Sequence, residues 1–76
     1  MSAIEKVKSV VLELLEKEVN LGPETRLSED LMLDSANLIE LTVLIHTKYG
    51  VDIGRKSVER KVTPETLSDL ASLMGE

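Results

Sequence analysis

Few side chains in this 76-residue chain could do chemistry, and they do not combine into a catalytic set. Ser35 stands where a loop-like approach, Leu31-Met32-Leu33-Asp34, gives way to an apolar-periodic segment. A nucleophilic serine needs a base within hydrogen-bond reach and donors for an oxyanion. The only histidine, His46, lies eleven residues further along the same expected helix, roughly 16 Å away at 1.5 Å per residue. No Gly-x-Ser-x-Gly elbow surrounds the serine. Serine hydrolysis is therefore rejected, and His46 reads as a solvent-facing helix residue.

Metal chemistry fares no better. Asp30 and Asp34 are spaced like one helical turn, but the remaining ligands, the Gly and the terminal Glu of an EF-hand loop are missing. Asp34 reads as a helix-capping carboxylate and Asp30 as a solvated acid. There is no cysteine for a disulfide or a thiolate site. No Gly-rich phosphate loop occurs. The bases Arg55, Lys56, Arg60 and Lys61 have no aromatic beside them to stack a nucleobase. What remains is Ser35 as an acceptor for covalent modification. At a helix start the free backbone N–H groups and the helix dipole favour a phosphate.

The elements that position Ser35 follow from periodicity. Residues 3–19 read as an amphipathic helix, with Ile4, Val7, Val10, Val11, Leu14 and Leu15 at steps of three and four. Ser2 is its expected N-cap, and Asn20-Leu21-Gly22-Pro23 its expected end. Residues 20–34 form a long connection carrying Leu21, Leu27, Leu31 and Leu33, so it should pack on the core. Thr25 to Leu31 has room for a short helical turn.

Residues 35–49 read as the second helix, capped by Asp34 and closed by Gly50. Leu38, Leu41, Thr42, Ile45 and Tyr49 fall within about 100° of arc and form its expected buried face. Ala36, Ile39 and Val43 make a flanking line. That line is either buried by a small bundle or an apolar docking strip beside Ser35. Val51 to Gly54 reads as an extended link. Ser57 to Lys61 reads as a short helix anchored by Val58. Thr63-Pro64 reads as the start of the last helix, whose stripe is Leu67, Leu70, Ala71 and Met74 and whose end is Gly75. The expected fold is all-α: one domain over residues 1–76, a small four-helix bundle with three main helices, a short third helix and a long first loop.

Composition bounds the function. A chain this short has room for one core and no deep enclosed active site. The net charge of −5 argues against nucleic acid as a partner. Residues 24–40 carry five acids (Glu24, Glu29, Asp30, Asp34, Glu40) against one base, Arg26. Residues 46–61 carry five bases, including Lys48, against two acids. Most of these charges keep a small domain soluble; the acids around Ser35 would also steer a basic partner. No apolar run approaches the roughly 18 residues of a membrane span, and no signal peptide is visible, so a cytoplasmic location is expected.

With those residues in place, the chain resembles the acyl carrier proteins of the phosphopantetheine-binding family. The match rests on Leu33-Asp34-Ser35, then Ile39-Glu40-Leu41, Ile45, Tyr49-Gly50 and Val51-Asp52-Ile53, in a chain of this length. The resemblance implies a covalent 4'-phosphopantetheine arm on Ser35, taken from coenzyme A by a phosphopantetheinyl transferase. It implies a non-catalytic, monomeric carrier of acyl thioesters for fatty acid, polyketide or related biosynthesis. Its partners would be acyl or adenylate-forming ligases, acyltransferases and ketosynthases. Asp34, Ala36, Ile39, Glu40 and Val43 would be the docking residues, which favours the exposed reading of that strip. Departures are also plain: Ala36-Asn37 replaces the usual Leu-Asp, and the helix end His46-Thr47-Lys48 is not acidic. These point to a specialised free-standing member. The alternatives are a peptidyl or aminoacyl carrier of a nonribosomal pathway, a helical interaction module without an arm, and a small DNA-binding bundle.

Overall fold

Each helix begins where a short polar side chain can satisfy free N–H groups. Ser2 Oγ accepts from the Glu5 N–H at 3.3 Å, and the Glu5 carboxylate accepts from the Ser2 N–H at 3.3 Å, a reciprocal capping box. The computed structural model describes residues 2–74 and contains α1 (Ala3–Leu15), α2 (Ser35–Tyr49), α3 (Ile53–Arg60) and α4 (Leu67–Leu73). Among the described residues there is no strand, only an isolated antiparallel bridge between Arg26 and Thr66. The fold is thus all-α, as expected.

Three boundaries differ from the expectation. The first helix stops at Leu15 rather than reaching residue 19, and Glu16 closes it in a left-handed conformation (φ 57°) with its N–H on Leu12 O. Glu16, Lys17 and Glu18 are all exposed, so a longer helix would bury nothing more. Gly22-Pro23 is therefore not the terminator. Gly22 instead donates its N–H to Thr25 Oγ1 at 2.8 Å inside the loop.

The third helix starts at Ile53, not Ser57, because Asp52 Oδ1 accepts from the Arg55 N–H at 3.0 Å and caps it. Its buried anchor is Ile53, while Val58 is 77% exposed. The two are five residues apart, about 140° around the helix, and cannot share a face. The last helix starts at Leu67 rather than after Thr63-Pro64. Thr66 caps it, with Thr66 Oγ1 accepting from the Asp69 N–H and Asp69 accepting from the Thr66 and Glu65 N–H groups. Those bonds, that from Glu65 first, hold the Asp69 carboxyl below its ordinary range. The expected end at Gly75 lies outside the described residues.

The core joins Val7, Val10 and Val11 of α1, Leu41 and Ile45 of α2, Ile53 of α3, and Leu67, Leu70 and Leu73 of α4, with Met74. Leu27 and Leu33 of the long loop are buried in the same cluster, and Leu21 and Leu31 pack against it, as the leucine count predicts. The loop makes two hydrogen-bonded turns, one with the Thr25 N–H on Gly22 O and one with the Asp30 and Leu31 N–H groups on Arg26 O. It is then stitched to the approach of α4: Leu27 N–H to Glu65 O at 2.8 Å, Leu67 N–H to Thr25 O at 3.2 Å, and Ser68 N–H to Pro23 O at 2.9 Å. The far end of α2 is fastened to α1 by the Lys48–Glu13 pair at 2.7 Å and by Lys6 lying 5.4 Å from the Tyr49 ring centroid. Both ends of α2 are thereby held, and the bundle presents its start at the surface.

Candidate functional site

The site is the junction of the long loop and α2. Asp34 has extended backbone (φ −90°, ψ −177°), and its Oδ1 accepts from the Asn37 N–H at 2.8 Å. The Asn37 side-chain oxygen accepts in return from the Asp34 N–H at 3.3 Å. Asn37, which the sequence marks only as a departure, therefore completes a capping box. Of the four N–H groups that a helix start leaves without partners, Asp34 and Asn37 have theirs satisfied, and those of Ser35 and Ala36 remain. Asp34 does the capping, so the Ser35 hydroxyl is not spent on it. Ser35 is the first residue of α2 and is exposed.

Such a position suits a phosphodiester. Two free N–H groups and the positive end of a 15-residue helix lie beside the hydroxyl. No other polar group has to be displaced from a buried network, because no buried polar or charged residue exists among those described. Replacing Asp34 with Ala removes one half of the box. It should destabilise the protein by about 1 kcal/mol, seen as a lower urea midpoint at an unchanged slope. A change of slope instead would mean that the loop, not the cap alone, had come apart.

The expected faces of α2 separate as the periodicity predicts. Leu41 and Ile45 are buried, and Leu38, Thr42 and Tyr49 are half-buried. Ala36, Ile39, Glu40 and Val43 are exposed, Ile39 at 64% and Val43 at 55%. Asp34 and Ser35, next to this strip in the chain, are exposed as well. His46 is exposed on the same continuous helix, about 16 Å of helix rise from Ser35. Among the described residues no group of acids and histidines could hold a metal ion. The charges are partly occupied: Arg26 pairs with Glu29 and Glu65, Arg55 with Glu59, and Arg60 donates to Ser72 O.

One residue beside Ser35 was not singled out by spacing. Met32 is 83% exposed and has φ 56°, a left-handed conformation for a residue with a side chain. The two other non-glycine residues with positive φ, Glu16 and Lys61, are helix C-caps, where that conformation is common. Holding a non-glycine residue there costs about 1 kcal/mol. The sequence carried a signal, a methionine between two leucines that both pack inward, but periodicity in a loop does not reveal φ.

Comparison with known proteins fits this geometry. The family described as "Phosphopantetheine attachment site" matches residues 5–71. An acyl carrier protein from Helicobacter hepaticus (strain ATCC 51449 / 3B1) is 36% identical over 61 residues, which cover 79% of this chain and 80% of that protein. No solved structure gives a significant match. No helix among the described residues is long and apolar enough to cross a membrane.

Proposed function

Because the chain belongs to the acyl carrier family of phosphopantetheine-attachment proteins, we propose that Ser35 is the residue that bears the arm. The observation that carries this reading is the exposed Ser35 hydroxyl at the start of α2, with Asp34 and Asn37 supplying the cap. Attachment by a phosphopantetheinyl transferase forms an Oγ–phosphorus bond, expels the bisphosphorylated adenosine of coenzyme A and releases the hydroxyl proton. The arm supplies a terminal thiol that holds acyl groups as thioesters. The protein's own part is to keep Ser35 at a fixed, solvent-facing point and to raise the local concentration of cargo at partner enzymes. Intact mass after incubation with a transferase and coenzyme A tests the reading; a wild-type chain that gains no arm refutes it.

Asp34, Ala36, Ile39, Glu40 and Val43 form the proposed docking face. Their shared exposure next to Ser35 supports it. Glu40 is the only acid within α2, and the helix ends in His46 and Lys48. A face with so little negative charge pairs weakly with basic enzyme patches. The carrier is accordingly assigned to a specialised acyl pathway, polyketide, nonribosomal or modified-lipid, rather than to housekeeping fatty acid synthesis. A housekeeping ketosynthase should turn over a resident fatty-acid carrier faster than this one in a competition assay. Equal turnover would remove the specialised assignment and leave the carrier role standing.

A further inference from the structure

We propose that Met32 is a specificity-determining contact for the enzyme that attaches the arm, an inference that rests on Ser35 being the attachment site. Met32 sits on a backbone that is fixed on both sides. The Leu31 N–H is bonded to Arg26 O at 3.1 Å and the Leu33 N–H to Leu27 O at 3.1 Å. Leu33 is buried and Leu31 packs against the core, so the residue between them is turned outward in a left-handed conformation. Its side chain is 83% exposed and therefore gives the core almost nothing. For the free protein it is a burden twice over, because a glycine would relax the backbone and a polar residue would suit the water. A flexible, polarisable thioether held in this way is well made for adaptive contact with another protein.

The occupant follows from distance. Met32 and Ser35 are three positions apart in the chain, so their Cα atoms are at most about 11 Å apart. A specific interface covers about 800 Å² on each partner, a disc of roughly 16 Å radius. An enzyme that makes a bond to Ser35 Oγ must centre its surface near that oxygen and so covers Met32. Enzymes that act on the cargo work at the far end of the arm and are free to dock along α2 instead. Met32 should thus matter to attachment.

The test measures kcat and KM for the carrier as substrate of a purified phosphopantetheinyl transferase with coenzyme A. Burying the outer part of one methionine corresponds to roughly a tenfold change in affinity. Met32→Gln keeps the length and the strained backbone but loses the apolar contact. It should raise KM about tenfold at a nearly unchanged kcat, with an unchanged melting temperature. Met32→Gly should raise KM similarly while melting roughly 4–8 °C higher, because the strain is gone. Met32→Leu should stay near wild type. A Gln variant whose KM stays within about twofold of wild type overturns the inference, as does a KM that rises only when the melting temperature falls. A wild-type chain that gains no arm overturns instead the assignment of Ser35 on which it rests.

Discussion

Replacing Ser35 with Ala is expected to abolish arm attachment while leaving the fold intact. The variant has no oxygen at the position where the phosphodiester must form, so its mass after incubation with transferase and coenzyme A should not change at all. The fold should not notice, because Ser35 is exposed and its hydroxyl does no capping; Asp34 and Asn37 do. Exposed substitutions of this kind fall within about 0.5 kcal/mol, or roughly 2–4 °C in a domain of this size. The pairing of total loss with an unchanged melt is the informative part. If Ser35→Ala still gained the arm, another hydroxyl, such as that of exposed Ser28 on the loop, would be the acceptor and the site assignment would be wrong.

The second large effect separates the two faces of α2 with one residue type. Ile45 has no exposed surface, and Ile39 is 64% exposed. Ile45→Ala leaves a cavity in the bundle core and should cost about 3 kcal/mol. A 76-residue domain has only about 4–11 kcal/mol of stability to lose, so the melting temperature should fall by roughly 12–24 °C. Ile39→Ala should change it by no more than a few degrees. Urea unfolding followed by circular dichroism makes the comparison. Equal losses at the two positions would mean that α2 is not packed by the face described.

These residues also show what a sequence can and cannot say. The faces of α2 were legible because fifteen residues sample the helical period more than four times, and because Asp34 and Gly50 mark its ends. The start of α1 was legible for the same kind of reason, Ser2 followed by Glu5. The end of α1 was not, since Asn20-Leu21-Gly22-Pro23 reads as the terminator while Glu16-Lys17-Glu18 before it have nothing to bury against. The start of α4 at Thr66 rather than at Thr63-Pro64 is decided by distant partners. Residues 65 and 67 pair with the loop in extended form, and that pairing lies some forty positions away in the chain. Val58 was misplaced because its helix begins four residues earlier than expected, which turns the apolar face toward Ile53. At the candidate site, residue types and spacing placed an exposed Ser35 at a helix start, while periodicity left Ala36, Ile39 and Val43 open between burial and exposure, and the left-handed backbone of Met32 follows from no pattern in the sequence.

The stitching of the long loop to residues 65–68 has a consequence in time. A ribosome delivers the chain from its N-terminus, and helices with local contacts form as they emerge. The loop that leads into Ser35 is different, because its backbone is pinned by Glu65, Leu67 and Ser68. A nascent chain that has emerged only through α2 has the serine but not the platform under it. Ser35 stands at a fixed point only after α4 has left the ribosome, so an enzyme that read the folded junction would act on chains that have emerged through α4 and pass over shorter ones.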